Sequence, residues 1–222
     1  MIRAVLFDLD GTLADTAPDL GHALNLLRER HGLPPLSAEA IRPQASHGAR
    51  GLLGLGFGLT PEDPGFKALR EEFLELYAAN ICLHTRLFPG TAELLEQLEQ
   101  RHILWGVVTN KPARFTEPLL QALGLAQRAA CVVSGDTCAN SKPHPEPMLL
   151  ASRQTGVPPQ ACLYVGDAER DVEAAEAAGM PALIARYGYL DTHDQPETWG
   201  AHGMVDHPRE ILEYLEAKSL IE

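Results

Sequence analysis

The sequence predicts an α/β protein: a doubly wound parallel sheet with a Rossmann-like core and an inserted helical subdomain. Short continuous apolar runs, the pattern of strands buried on both faces, alternate with amphipathic helical segments. From about residue 17 to about residue 85 this alternation stops, leaving helical periodicity and Gly- and Pro-rich turns with no convincing strand.

The strands predicted in order are Ile2–Phe7, Ile103–Val108, Cys131–Val133, Ala161–Val165, Ala182–Ala185 and a weaker Gly203–Val205. Between them, helical spacing of leucines and alanines predicts Ala92–Gln100, Glu117–Leu123, Pro147–Gln154, Asp171–Ala178 and Arg209–Glu216. The interrupting stretch holds helical patterns at His22–Glu29 and Phe66–Ala79 and is too long for a loop. Residues 1–15 and 86–222 are therefore expected to form the core, and residues 16–85 the insertion. The segment SHGARGLLGLGFG follows no strand, and its glycines miss the spacing of a dinucleotide-binding loop.

Thirty acidic against eighteen basic side chains give the 222 residues a net charge of −12, which disfavours nucleic acid and anionic membranes as partners. No window approaches transmembrane length, and Asp8 interrupts the first apolar run before it could serve as a signal segment. Cys82, Cys131, Cys138 and Cys162 form no C-x-x-C pair, and free thiols suit a reducing cytosol. The expectation is a soluble cytoplasmic protein acting on a small molecule.

Ligands of open α/β sheets bind beyond the carboxyl ends of the strands, so the polar residues there carry the chemistry. Four groups stand at such ends: Asp8-Leu9-Asp10-Gly11-Thr12, Thr109-Asn110-Lys111, Ser141-Lys142-Pro143 and Gly166-Asp167. Alternate residues of an extended segment share a face, so Asp8 and Asp10 are expected to point at one ligand with a cation between them. Oxygen ligands suit Mg²⁺, with Asp167 a third ligand and Asp171, one helical turn on, holding metal-bound water. Thr109, Asn110 and Lys142 supply the donors and the fixed charge that a phosphoryl group needs. The set describes aspartyl-phosphate chemistry, in which a carboxylate attacks phosphorus and the resulting acyl phosphate is hydrolysed. Lys111 is set aside as structural or peripheral.

FDLDGTLAD, VVTNK, SKPHPEP and GDAERD, in that order, resemble the four motifs of the haloacid dehalogenase superfamily of phosphatases. The resemblance implies Asp8 as nucleophile, Asp10 as general acid and base, Thr109 and Lys142 as phosphate binders and Asp167 as a metal ligand. It further implies Mg²⁺ held also by the Asp10 backbone carbonyl, Asp171 in support, and a helical cap that closes over the substrate. APDLGHALN, RPQASHGARGLL, SKPHPEPMLLA and ARYGYL resemble the phosphoglycolate phosphatase-like branch. Within it, WGVVTNKP, RFTEP and WGAHGMVDHP are most similar to bacterial N-acetylmuramic acid 6-phosphate phosphatases, which act in peptidoglycan recycling. The muramyl substrate is ranked ahead of phosphoglycolate.

Other readings of the same residues lead elsewhere. A calcium loop opening at Asp8 would need an acid or amide, Gly and Glu where Thr12, Leu13 and Asp19 stand. A phosphorylated receiver module would need no insertion and would not predict Asp10 beside the phosphoacceptor. A sugar phosphomutase would transfer the phosphoryl group without releasing phosphate. His47 and Arg50 in the insertion are candidates for the substrate; arginine suits a carboxylate, and an exposed arginine at a helix start is the competing reading. His193, His202 and His207 are expected at the surface.

Overall fold

The structure, a computed structural model, describes residues 1–221. Six parallel strands among these residues form the main sheet in the order β5-β4-β1-β6-β7-β8. They are β1 (Ala4–Phe7), β4 (Leu104–Val108), β5 (Val132–Val133), β6 (Cys162–Gly166), β7 (Ala182–Ala185) and β8 (Gly203–Val205). Each lies within a residue or two of its expected place. The remaining two strands, β2 (Ala14–Asp15) and β3 (Arg86–Leu87), form a short antiparallel ribbon that the sequence does not announce.

Period-two alternation sorts the apolar strand residues onto the two faces of the sheet. Val5 and Phe7 of β1, with Leu163 and Val165 of β6, join Leu95, Leu120 and Leu215 from α5 (Thr91–Gln100), α6 (Ala113–Ala122) and α9 (Arg209–Ala217). Ala4, Leu6, Cys162 and Tyr164 turn the other way, onto Met148 and Ala151 of α7 (Glu146–Thr155) and Val172 and Ala175 of α8 (Glu169–Ala177). Burying each large side chain on both faces contributes about 1.5–3 kcal/mol. This explains why the strands read as continuous apolar runs.

The chain passes from β1 to β4 and β5 on one side, then to β6, β7 and β8 on the other. This places the carboxyl end of β1 at the reversal of strand order, where open sheets leave a crevice.

Between β2 and β3 stand four helices: α1 (Ala17–Arg30), α2 (Ala38–Ala45), α3 (Gly48–Phe57) and α4 (Phe66–Ala79). They enclose an apolar cluster of their own, including Leu24, Leu27, Leu52, Leu53 and Phe73. The sequence anticipates α4 and most of α1. It does not anticipate α2 and α3, because Pro43 lies inside the one and four glycines inside the other. SHGARGLLGLGFG is thus mainly helix. A Cβ on Gly56 would lie 2.7 Å from Leu24 Cδ1, so glycine permits close packing of α3 on α1.

Candidate active site

Asp8 immediately follows β1; its backbone N–H donates to Val165 O at 2.9 Å and its carboxylate accepts from Leu9 N at 2.7 Å. The side chain is buried. Opposite it, Lys142 Nζ lies 3.2 Å from Asp8 Oδ1 and 2.7 Å from Asp171 Oδ1. The same ammonium donates to Val108 O at 2.9 Å and Tyr164 OH at 2.8 Å, so it is fully buried and fully partnered. Asn110 fixes this lysine: its side-chain amide donates to Lys142 O at 2.9 Å and accepts from Lys142 N at 3.0 Å. The Asn110 side chain thus positions a cation, a task the sequence does not indicate.

Asp8, Asp167 and Asp171 each present a carboxylate oxygen within 4.8 Å of the others. Burial, together with the charges of Asp8 and Asp171, pushes the Asp167 carboxyl up to about 8. Burial also raises Asp171, against the opposing pull of Lys142. Three buried, hard oxygen donors with too little compensating charge fit a divalent cation such as Mg²⁺. Asp167 is held by Tyr189 N at 2.8 Å and Thr12 Oγ1 at 3.1 Å, and Asp171 caps its own helix through Ala168 N at 3.1 Å. Gly11 has φ +81°, and a Cβ there would strike the Asp167 carboxylate. Only glycine lets the loop pass this close.

Asp10 differs from the expectation of a cation shared with Asp8. Its carboxylate is not among the three converging groups; Lys111 Nζ holds it at 2.9 and 3.2 Å, and Thr16 Oγ1 donates to it at 2.5 Å. Lys111, set aside on sequence grounds, is therefore a buried partner of this site. Burial alone would lower its ammonium, but Asp10 and Tyr77 hold it above its ordinary value. Its Nζ also stands 4.7 Å from the centroid of the Tyr77 ring on α4.

A cavity of about 990 Å³ opens between the carboxyl edge of the sheet and the helical unit. Asp8, Asp10, Thr109, Asn110 and Lys111 line one wall; His47, Arg50 and Tyr77 line the other. Lys142, Asp167 and Asp171 lie buried behind Asp8. His47 and Arg50 both reach solvent, while partial burial of the His47 ring, followed by the charge of Arg170, lowers its imidazole. His193 and His202 are also exposed, and His207 is half-buried. The structure further brings in Arg170 and Tyr189. Arg170 stands between Asp167 and Asp171 in GDAERD, where a cation inside an acidic run is its only sequence signal.

Among the described residues no helix is long and apolar enough to cross a membrane. A family of haloacid dehalogenase-like hydrolases matches residues 5–185. The chain is 46% identical to an N-acetylmuramic acid 6-phosphate phosphatase of Pseudomonas putida, with 97% of each chain covered. It is 43% identical to a phosphoglycolate phosphatase of Xanthomonas campestris, with 95% of each covered. Among solved structures, a predicted phosphoglycolate phosphatase of Haemophilus somnus superposes with a TM-score of 0.84 at 29% identity, covering 96% of this chain and 97% of that one.

Proposed function

The chain belongs to the haloacid dehalogenase-like hydrolase family and is one of its phosphatases, and we propose that it hydrolyses a phosphorylated sugar acid through an aspartyl phosphate formed on Asp8. The observation that carries this reading is the placing of Asp8. It lines the cavity, with the buried Lys142 ammonium 3.2 Å behind it and Asp10 two residues on.

In the proposed cycle an Asp8 oxygen attacks phosphorus while Asp10 protonates the leaving oxygen. Asp10 then takes a proton from the water that hydrolyses the aspartyl phosphate. Thr109 donates to a phosphoryl oxygen, Asn110 does so from its backbone while its side chain holds Lys142, and Lys142 offsets the charge on Asp8 and the phosphoryl group. Asp8, Asp167 and the Asp10 carbonyl would hold Mg²⁺, with Asp171 in support. A cation there would offset the carboxylate and phosphoryl charge.

Residues 16–85 act in this reading as the cap that covers the substrate and excludes water. His47 and Arg50 face the part of the substrate remote from phosphorus. A cavity of about 990 Å³ stands at the upper end of the range for small-molecule sites, roughly 300–1,000 Å³, and suits an N-acetylated sugar acid better than a two-carbon acid. N-acetylmuramic acid 6-phosphate is accordingly the proposed substrate, as the names of the Pseudomonas relatives suggest. Phosphoglycolate is the second reading, favoured by the Xanthomonas relative. The four free cysteines support a reducing, cytosolic setting.

Phosphate release from a panel of N-acetylmuramic acid 6-phosphate, phosphoglycolate and hexose phosphates, with and without Mg²⁺, tests the proposal. The expected result is Mg²⁺-dependent release with the highest kcat/KM on the muramyl ester. Equal, weak rates across the panel would defeat both named substrates, and turnover without phosphate release would identify a mutase.

A further inference from the structure

Arg170 is the second residue of α8, on the same turn as Asp171. Its Nη2 crosses to the helical unit and donates to Ser46 O at 2.9 Å and Ser46 Oγ at 3.0 Å. Ser46 is the corner between α2 and α3, immediately before His47 and one turn from Arg50. Burial alone would lower the guanidinium, yet Asp171, Asp8 and Asp167 hold it above its ordinary value. One side chain thus lies in the field of all three acidic groups and is hydrogen-bonded to the corner that faces the substrate cavity.

We propose that Arg170 is a positioning residue that sets the Ser46–Arg50 corner in register with Asp8, and so governs how tightly the remote part of the substrate is held. The contact is suited to this. One of its acceptors is a main-chain carbonyl, so it holds the corner's backbone and not only one rotatable group. A guanidinium is charged at any working pH, and charge-assisted bonds are the stronger class. His47 and Arg50 are themselves exposed on the corner, so their aim depends on where its backbone sits. Both bonds come from one nitrogen, Nη2, so a lysine ammonium, a point charge on a shorter stem, replaces them only in part.

This inference rests on the proposed reading of Asp8 and of the helical unit, and its test is arranged to fail separately. Wild-type enzyme is first assayed on the phosphate ester panel; activity on none of the esters would defeat the proposed function itself. With the ester of highest kcat/KM, Arg170→Met is expected to raise KM by about tenfold to hundredfold, the worth of charge-assisted bonds, while kcat changes by less than about threefold. Arg170→Lys should recover part of the loss. Ser46→Gly, which keeps the carbonyl acceptor, should raise KM by less than Arg170→Met. An unchanged KM in Arg170→Met, or a fall in kcat with KM unchanged, would overturn the proposal. Should circular dichroism show Arg170→Met unfolded, Arg170→Lys decides, with the same two outcomes counting against it.

Discussion

Lys111 Nζ stands 2.9 Å from Asp10 Oδ1, and this pair, not a cation shared with Asp8, accounts for the second carboxylate of the DLD run. Thr16 Oγ1 completes the arrangement, so both Asp10 partners are groups of the chain itself. Removing the lysine leaves a half-buried carboxylate short of its counter-charge and free to rotate. Lys111→Met is expected to lower kcat by about tenfold to hundredfold, up to the lower end of the roughly 10²–10⁴ that positioned acid–base catalysis contributes, because Asp10 itself remains. The loss should be larger for an alkyl phosphate than for p-nitrophenyl phosphate, whose leaving group needs no proton. Steady-state rates on both esters check this, and equal losses would remove Lys111 from the proton-transfer step.

Asp10→Asn follows the same logic at the proton itself. The amide keeps the size and the contact with Thr16 but cannot deliver a proton. Turnover of a sugar phosphate should fall by about 10²–10⁴. An unchanged rate on that poor leaving group would contradict the assignment.

The acidic trio makes stability depend on pH and cation together. Because the Asp167 carboxyl is pushed up to about 8 from 3.8, the folded protein holds a proton between these values that the unfolded chain releases. In metal-free protein this contribution is complete below the unfolded value and is lost as pH rises through about 8. Mg²⁺ held at the proposed site would bind the deprotonated group and should therefore raise Tm more at pH 8.5 than at pH 6. At about one hundred times Kd the gain is about 2.7 kcal/mol, or roughly 5–10 °C for a chain of this size. Thermal melts in EDTA and in Mg²⁺ at both pH values measure it, and equal shifts would place the cation elsewhere.

The central sheet should respond sharply to loss of volume. Leu6 is fully buried in β1, and Leu6→Ala is expected to cost about 2–5 kcal/mol in urea unfolding. Leu55, which is 37% exposed on α3, should cost about 0.5 kcal/mol or less when changed to alanine.

These contrasts show which features a linear reading reaches. β1 was legible because an apolar run buried on both faces stops abruptly at Asp8, and Asp167 likewise follows an apolar run ending in Gly166. α2 and α3 were not, since Pro43 and the glycines of GARGLLGLGF look like breakers until Leu24 is seen packed against Gly56. The role of Lys111 was hidden because its partner lies 101 residues away, and a lysine beside a turn proline looks like a solvated one. The Asn110 amide was readable as a phosphate donor but not as the clamp on Lys142, which needs the return of the chain 32 residues later. Strand-end chemistry is written locally; the pairing of charges across the crevice is written only in three dimensions.

In the proposed cycle the phosphoryl group passes through Asp8. Turnover quenched in acid within the first cycle, followed by peptide mass spectrometry, measures this directly. The predicted result is one phosphoryl group on the peptide carrying Asp8, localised to that residue and missing in Asp8→Asn. A phosphoryl group on any other side chain, or Asp8→Asn retaining most of its Mg²⁺-dependent turnover, would contradict it.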